Sequence, residues 1–325
     1  MRIPAMIAVN TRQQPGNAVP VHPQVRSMAL MLKKAGIGQN EMETVEDSRK
    51  RLRAVVKLMG RPSADLAEVR ETRIEGPEGS IPVRIYEPRA SKSGRAPLVL
   101  FFHGGGWILG GLDTSEETLL MLCDLSGAVV VSVDYRLAPE HKFPSGLEDC
   151  YISAVWAANN AGALGCDARK LIVCGESAGG NLATATCLLA KRRKGPKIAY
   201  QILVYPNVDM VRDMSEHSHS EFGPTPAELE WIIGLYLRNR RESRKPLVSP
   251  ILGDLRGLPP ALIFTAENDP LREQDEDYAK RLREAGVRAR TVNYPGAVHG
   301  FWNFPNHFDS GDDAVRKAAR TIKNL

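Results

Sequence analysis

The sequence predicts an α/β protein in which a mostly parallel, doubly wound β-sheet is flanked by helices. From about residue 97 onward, short apolar runs rich in β-branched residues alternate with longer segments of helical periodicity. Such alternation is typical of parallel strands joined by crossover helices. Near the middle of the chain, one apolar run passes through Gly175-Glu176-Ser177-Ala178-Gly179 directly into a helical segment. This pattern puts Ser177 at the tip of a sharp strand-to-helix turn.

The first part of the chain, residues 1–60, comes before the sheet. Residues 1–23 are rich in Pro, Gln and Asn and are predicted to be irregular. Apolar residues at helical spacing predict amphipathic helices over 24–35 and 44–59. These helices either pad the core or form part of a lid over the active site, and the sequence favours neither. We expect residues 1–60 to form an N-terminal cap and residues 61–325 a catalytic domain.

The strands and helices of the sheet region follow in order. The first two strands are separated by a short segment with Gly76, Pro77 and Gly79, so they are predicted to form an antiparallel hairpin. The predicted strands are 68–74, 81–87, 97–103, 128–134, 170–174, 198–205, 260–265 and 288–294. The predicted helices are 114–125, 147–160, 177–191, 271–285 and 312–322.

An insertion at about 207–254 breaks the alternation. It contains a polar loop, 209–223, and an apolar helix, 225–240. An insertion of this length near the C-terminal ends of the strands suggests a cap helix that faces the site.

Composition bounds the class of protein. The chain has 325 residues, 43% of them hydrophobic, with a net charge of +5. Its charges are interspersed, which predicts no nucleic-acid partner, and no apolar run is long enough to span a membrane. The five cysteines match no zinc or disulfide spacing, so we expect free thiols, no metal site and a cytoplasmic location.

Ser177 is the predicted nucleophile. Side chains at Gly175 and Gly179 would collide with the neighbouring backbone in so tight a turn. The helix that starts at Ser177 has free N–H groups and a dipole at its N-terminus, and both favour negative charge beside the serine.

A glycine-rich segment after an earlier strand provides candidate oxyanion donors. This glycine loop, residues 103–107, reads His-Gly-Gly-Gly-Trp. Uncovered backbone N–H groups can hold a developing alkoxide, together with the N–H of Ala178, the residue after the nucleophile. The alternatives are a merely flexible loop or a weak phosphate cradle, although the Lys-Ser/Thr ending of a P-loop is missing.

A serine needs a base and an orienting acid to act as a nucleophile. Asp269 follows the strand 260–265 and is the preferred acid, placed at the N-cap of the next helix by Pro270. Glu267 is the fallback acid, and Asp275 lies too far into the helix. His299 follows the last strand between glycines and is the predicted base, with His307 as its competitor.

Asp134 and Arg136 follow another buried strand. We expect them either to pair and brace the glycine loop or to form an ordinary turn with a salt bridge.

Taken together, these motifs resemble those of the hormone-sensitive-lipase-like (family IV) esterases of the α/β-hydrolase superfamily. The resemblance implies an eight-stranded sheet with a helical cap, hydrolysis of short- to medium-chain carboxylic esters without cofactor or metal, and often a homodimer. Asn268 departs from the family, which more often has an apolar or aromatic residue there. The matching motifs are H-G-G-G-W (103–107), D-Y-R-L-A-P-E (134–140), G-E-S-A-G-G (175–180), D-P-L (269–271) and H-G-F (299–301).

The resemblance also assigns roles to matching positions: Ser177 as nucleophile, His299 as base, Asp269 as its orienter, Gly105, Gly106 and Ala178 as oxyanion donors, and Gly104 as the residue that shapes the loop. A small-molecule ester is therefore the expected substrate, turned over through an acyl-enzyme. A hormone-binding module of the same fold, an amidase and a true lipase are the alternatives. The aromatic residues expected to wall the substrate pocket are Trp107, Phe222, Trp231 and Tyr236.

Overall fold

A computed structural model of the chain describes residues 20–37, 44–60, 66–89, 95–213 and 223–325. Within these ranges the chain forms an eight-stranded sheet in the order β1-β2-β4-β3-β5-β6-β7-β8. The strands are β1 (Ala67–Gly76), β2 (Gly79–Pro88), β3 (Ala96–Phe102), β4 (Val129–Val133), β5 (Cys166–Glu176), β6 (Tyr200–Val204), β7 (Ala261–Asn268) and β8 (Ala289–Val298).

The strand directions confirm the predicted mixed topology. β1 and β2 form an antiparallel hairpin, and β2 also runs antiparallel to β4. From β4 through β3 and on to β8, every neighbouring pair is parallel. The carboxyl ends of these parallel strands therefore lie at one edge of the sheet, where ligands bind in open α/β sheets.

Helices cover both faces of the sheet. The cluster on one face contains side chains of α4, α5, α6 and α7, and the cluster on the other contains side chains of α1, α2, α3 and α8. The helices among the described residues are α1 (Pro23–Lys34), α2 (Val45–Met59), α3 (Glu116–Ser126), α4 (Ser145–Asn160), α5 (Ala178–Arg193), α6 (Pro226–Tyr236), α7 (Arg272–Glu284) and α8 (Asp309–Lys323).

Strand β3 shows how the sheet separates the two clusters. Leu98, Leu100 and Phe102 point to the face that carries α4 and α5, whereas Val99 and Phe101 point to the face that carries α3 and α8. All five side chains are fully buried. A strand buried on both faces reads as a continuous apolar run, which is the pattern seen in the sequence.

The predicted N-terminal helices are present as α1 and α2. Thr44 and Asp47 form a reciprocal capping box at the start of α2, which satisfies two N–H groups that the helix leaves free. Val55 and Met59 bury the inner face of α2 in the same cluster as α3 and α8. At the end of the helix, His307 Nε2 lies 2.8 Å from the backbone oxygen of Met59, which ties α2 to the loop before α8.

The predicted helix 225–240 is shorter in the structure. A capping box between Thr225 and Glu228 starts α6, and the helix stops at Tyr236 because Leu237 is extended. Arg238 then donates to the backbone oxygen of Phe143, so the chain leaves the helical path to make this contact. A separate 3₁₀ helix follows at Arg240–Arg244.

Among the residues that the structure describes, no helix combines the length and apolar character needed to cross a membrane.

Candidate active site

Ser177 sits at the turn between β5 and α5 in a strained backbone conformation, with φ 54° and ψ −118°. The predicted need for glycines is confirmed. A Cβ on Gly175 would lie 2.3 Å from the backbone oxygen of Gly179, and one on Gly179 would lie 1.9 Å from that of Phe102. The strained turn presents the serine hydroxyl at the carboxyl edge of the sheet.

A chain of hydrogen bonds runs from Ser177 through His299 to Asp269. His299 Nε2 lies 2.8 Å from Ser177 Oγ, and His299 Nδ1 lies 2.7 Å from Asp269 Oδ2. When Nδ1–H donates to the carboxylate, Nε2 is left to accept a proton from the serine. The side chains meet because β5, β7 and β8 end at the same edge of the sheet.

The second oxygen of Asp269 is also used. Asp269 Oδ1 accepts from the backbone N–H of Leu271 at 2.9 Å, and the side chain is fully buried. The prediction that Asp269 caps the next helix is wrong, because α7 begins at Arg272 and Leu271 occupies the N-cap. Residues 270–271 form a turn instead, which leaves the aspartate free to face His299.

The competing candidates have other contacts. Glu267, the fallback acid, accepts from the backbone N–H of Gly296 at 3.1 Å and so braces the chain segment that leads to His299. Asp275 lies inside α7 and is buried. His307 contacts Met59, away from Ser177. Of the histidines in the described residues, His299 is the one hydrogen-bonded to the serine.

The pKa of His299 reflects opposing effects. Burial lowers it, but the charge of Asp269, its hydrogen bond and the charge of Glu176 together raise the pKa above its usual value. A higher pKa makes the neutral imidazole a stronger base, and that neutral form is the one that can take the serine proton.

The glycine loop lies beside the serine. Gly105 and Gly106 adopt positive φ angles of 107° and 61°, and the carbonyl of Gly105 accepts from the N–H groups of Ile108 and Leu109 at 3.1 and 2.9 Å. No hydrogen bond among the described residues uses the N–H groups of Gly105, Gly106 or Ala178. These amides are therefore available to a ligand oxygen.

His103 opens the glycine loop but has a structural role. Its ring is fully buried and stacks on Tyr135 with centroids 4.3 Å apart. Nδ1 lies 2.7 Å from the backbone oxygen of Gly104. Burial lowers the pKa of His103 to about 4, so the ring stays neutral at physiological pH.

Glu176 is a site residue that we did not predict. It directly precedes Ser177 in the chain, and its buried carboxylate accepts from the backbone N–H of Gly104 at 2.6 Å. It also accepts from Asn303 Nδ2 at 3.1 Å. Burial raises the pKa of Glu176, while Asn303, His299 and Gly104 oppose that rise. The signal in the sequence was the acid directly before the serine in Gly-Glu-Ser-Ala-Gly.

The predicted contact between Asp134 and Arg136 is wrong. Arg136 binds both oxygens of Asp149 at 2.8 Å and also contacts Glu78. Asp149 lies on α4 and is fully buried, and a buried carboxylate requires a partner. Arg136 therefore braces α4 and not the glycine loop.

A cavity lies beside Ser177 and has a volume of about 130 Å³. We call it the Ser177 cavity. Its walls come chiefly from α1, α2, the glycine loop and the loops after β8. The lining residues are Val25, Met28, Ala29, Leu32, Leu52, Val55, Val56, Gly105, Leu109, Thr114, Glu176, Ser177, Gly223, Pro224, Val298, His299, Gly300, Asn303 and Phe304.

This lining corrects the expected aromatic walls. Trp107 and Tyr236 are buried and stack on each other with ring centroids 4.5 Å apart, and Trp231 packs against the apolar cluster on the α4 face. None of the three lines the Ser177 cavity. Phe222 lies outside the described residues. Apolar side chains of α1 and α2 occupy much of the wall instead, and apart from His299 the one aromatic lining residue among the described residues is Phe304.

Fold and site together define the class of protein. A largely parallel sheet with a serine at a strand–helix turn, and with an aspartate and a histidine after later strands, is an α/β-hydrolase. A family model described as alpha/beta hydrolase fold matches residues 99–303. The chain belongs to the hormone-sensitive-lipase-like family of this superfamily, and the relatives and structural neighbours that are named esterases make it a carboxylic ester hydrolase.

Individual relatives are similar over most of their length. An arylesterase of Saccharolobus solfataricus is 37% identical, over 88% of this chain and 94% of its own. The carboxylesterase NlhH of Mycobacterium tuberculosis is 38% identical, over 86% of this chain and 90% of its own. A solved structure of a hyperthermophilic esterase from Pyrobaculum calidifontis superposes with a TM-score of 0.86 at 39% identity, covering 94% of this chain and 98% of its own.

Proposed function

We propose that this protein is a serine carboxylesterase that hydrolyses short- to medium-chain carboxylic esters through an acyl-enzyme on Ser177. The observation that carries the proposal is the hydrogen-bonded chain from Ser177 through His299 to Asp269, with unused backbone amides beside the serine. The names of the relatives, arylesterase and carboxylesterase, support the same chemistry.

Acylation begins when Ser177 Oγ attacks the ester carbonyl and His299 Nε2 takes the serine proton. Asp269 stabilises the imidazolium that forms. The N–H groups of Gly105, Gly106 and Ala178 hold the oxyanion of the tetrahedral intermediate, where one donor contributes about 3–4 kcal/mol. His299 then gives its proton to the leaving alcohol, and the acyl group stays on Ser177.

Deacylation uses the same groups in the same order, with water as the nucleophile in place of the serine hydroxyl. His299 takes a proton from water, the resulting hydroxide attacks the acyl carbonyl, and the oxyanion returns to the same amides. As the second tetrahedral intermediate collapses, His299 gives this proton to Ser177 Oγ, which leaves as the serine hydroxyl, and the carboxylic acid is released.

The limit on chain length comes from the Ser177 cavity, whose volume of about 130 Å³ suits a short to medium acyl group. We propose that residues 1–60 and the insertion at 207–254 act as a cap over a catalytic domain formed by the rest of 61–325. In support, α1 and α2 contribute Val25, Leu32 and Leu52 to the cavity wall.

We also propose that the enzyme works in the cytoplasm and forms a homodimer. All five cysteines are free and buried, which fits a reducing compartment. Fractionation of the source cells and sedimentation of the purified protein test these two points.

Initial rates on p-nitrophenyl esters from acetyl to palmitoyl, with Ser177→Ala alongside, test the proposed function. We expect activity at short to medium chains that is lost by at least about 10⁴-fold in the variant. A wild-type protein that binds esters but never turns them over would overturn the proposal. Paired ester and anilide substrates separate an esterase from an amidase.

A further inference from the structure

Arg49 lies on the cap helix α2 and reaches into the hydrolase core. Its guanidinium donates to both carboxylate oxygens of Glu140 at 2.8 Å. It also donates through Nε to the backbone oxygen of Ile108 at 2.9 Å and through Nη2 to that of Ala138 at 3.1 Å. The Arg49 side chain, which is 20% exposed, thus joins Ile108, Ala138 and Glu140. We call Arg49 and these three residues the Arg49 cluster.

Ile108 and Ala138, whose backbone oxygens accept from Arg49, are each hydrogen-bonded to the glycine loop. Ile108 donates its N–H to the carbonyl of Gly105. Ala138 donates its N–H to the carbonyl of Trp107 at 2.9 Å. The segment after β4 is therefore hydrogen-bonded to the glycine loop, and Arg49 joins the two from the side of the cap.

The same helix also forms the wall of the Ser177 cavity. Leu52, Val55 and Val56 line the cavity and lie within two turns of Arg49 on α2. A shift of α2 would move this wall and the carbonyl contacts of Arg49 together.

The ion pair between Arg49 and Glu140 is not the main link between α2 and the glycine loop. Glu140 is 54% exposed, and exposed ion pairs contribute little stability. Its hydrogen bonds to Arg49 lower the pKa of Glu140 to about 2, so it stays ionised at physiological pH. The two hydrogen bonds to Glu140 fix the plane of the guanidinium. In that plane, Nε points to the backbone oxygen of Ile108 and Nη2 also reaches that of Ala138.

We propose that Arg49 is a positioning residue that couples the cap to the oxyanion site. Through Ile108 and Ala138, it holds the Gly105 and Gly106 amides in place, and it fixes the α2 wall at the same time. The inference rests on the proposed esterase function. Arg49 itself does not line the Ser177 cavity and is not hydrogen-bonded to Ser177.

Kinetics on two esters test the coupling. The acyl group of p-nitrophenyl acetate is short and should contact the α2 wall little. The longer acyl group of p-nitrophenyl hexanoate should contact it more. We expect Arg49→Ala to lower kcat on the acetate by about 10-fold or more, because small displacements of catalytic groups have effects of this size. On the hexanoate, KM should rise as well.

Conservative variants and a matched control sharpen the test. Lysine cannot reproduce the planar fork, so Arg49→Lys should recover only part of the lost kcat. Glu140→Gln keeps a hydrogen-bond acceptor and should lose about 5-fold or less. Arg53→Ala removes an arginine one turn further along α2, where the side chain is 65% exposed, and should stay within about 2-fold of wild type.

Chemical rescue gives a readout that a general loss of stability would not produce. Methylguanidinium at millimolar concentration should restore part of kcat in Arg49→Ala and have no effect in Arg53→Ala. Unchanged kcat on the acetate in Arg49→Ala, or an equal loss in Arg53→Ala, would overturn the proposal.

If Arg49→Ala shows no cooperative thermal transition, it is not folded, and the test then rests on Arg49→Lys and Glu140→Gln. A wild-type kcat on p-nitrophenyl acetate in both of these variants would overturn the proposed coupling. An inactive wild type or an active Ser177→Ala would instead reject the esterase function itself, so the two failures are distinguishable.

Discussion

Glu176 joins the nucleophile turn to both sides of the site. Through Gly104 it holds the glycine loop, and through Asn303 it contacts the loop after His299. Its charge also contributes to the raised pKa of His299. One buried carboxylate thus contacts the glycine loop, where we propose the oxyanion donors, and raises the pKa of His299, the proposed base.

Replacing Glu176 with Gln should move the acid limb of the pH profile of kcat/KM to lower pH. His299 acts as a base only when neutral, so the rate falls as pH drops through its pKa. The variant removes a charge that raises this pKa, and His299 stays neutral to lower pH. Gln keeps an acceptor for Gly104, so we expect a loss of about 10-fold at most.

Rates between pH 5 and 9 measure the shift, with the exposed Glu273→Gln as the control. An unmoved acid limb in Glu176→Gln would mean that Glu176 is already neutral in the wild-type enzyme.

At the scale of elements, α2 forms part of the wall of the Ser177 cavity. Leu52 lines the cavity, whereas Leu58, on the same helix, is 42% exposed and lies outside it. One helix therefore offers a position that affects the substrate and a matched position that does not.

Leu52→Trp should shift the acyl preference toward shorter chains. The larger side chain fills the space beside Val56 that a longer acyl group needs, while an acetyl group still fits. We expect kcat/KM for the hexanoate to fall about 10-fold relative to the acetate, a difference of the size that pocket volume can produce. The ratio of the two rates is the measurement.

Leu58→Trp is the control, because it adds the same side chain on the solvent side of α2. An equal change in both variants, or no change in Leu52→Trp, would show that α2 does not limit the acyl chain.

Single elements also show where the sequence is sufficient and where it is not. Short apolar runs predicted the strands of the sheet, the turn residues between 74 and 81 predicted the hairpin, and helical apolar spacing predicted α1 and α2, because these patterns are local. Helical spacing overextended α6, which stops at Tyr236 so that Arg238 can contact Phe143. It also started α7 one residue early, because residues 270–271 form a turn before the helix.

At the scale of the whole molecule, the sheet brings together groups that are far apart in sequence. The turn motif selected Ser177, and chain order then pointed to an acid after β7 and to His299 after β8, because parallel strands end at one edge. The choice of Asp269 over Glu267 rested on a helix-capping role that the structure does not show.

The cavity walls could not be read from chain order. Trp107 and Tyr236 stack on each other inside the core. Part of the wall comes instead from α1 and α2, whose packing partners no local pattern specifies.

The central claim is that Ser177 is a nucleophile activated by His299, and covalent labelling tests it most directly. We would react the protein with a p-nitrophenyl alkylphosphonate, follow p-nitrophenolate release, and locate the adduct by peptide mass mapping. The account predicts one equivalent released per chain, an adduct on Ser177, and labelling about 10³-fold slower or more in His299→Ala. An adduct on any other residue, or equally fast labelling in His299→Ala, would contradict it.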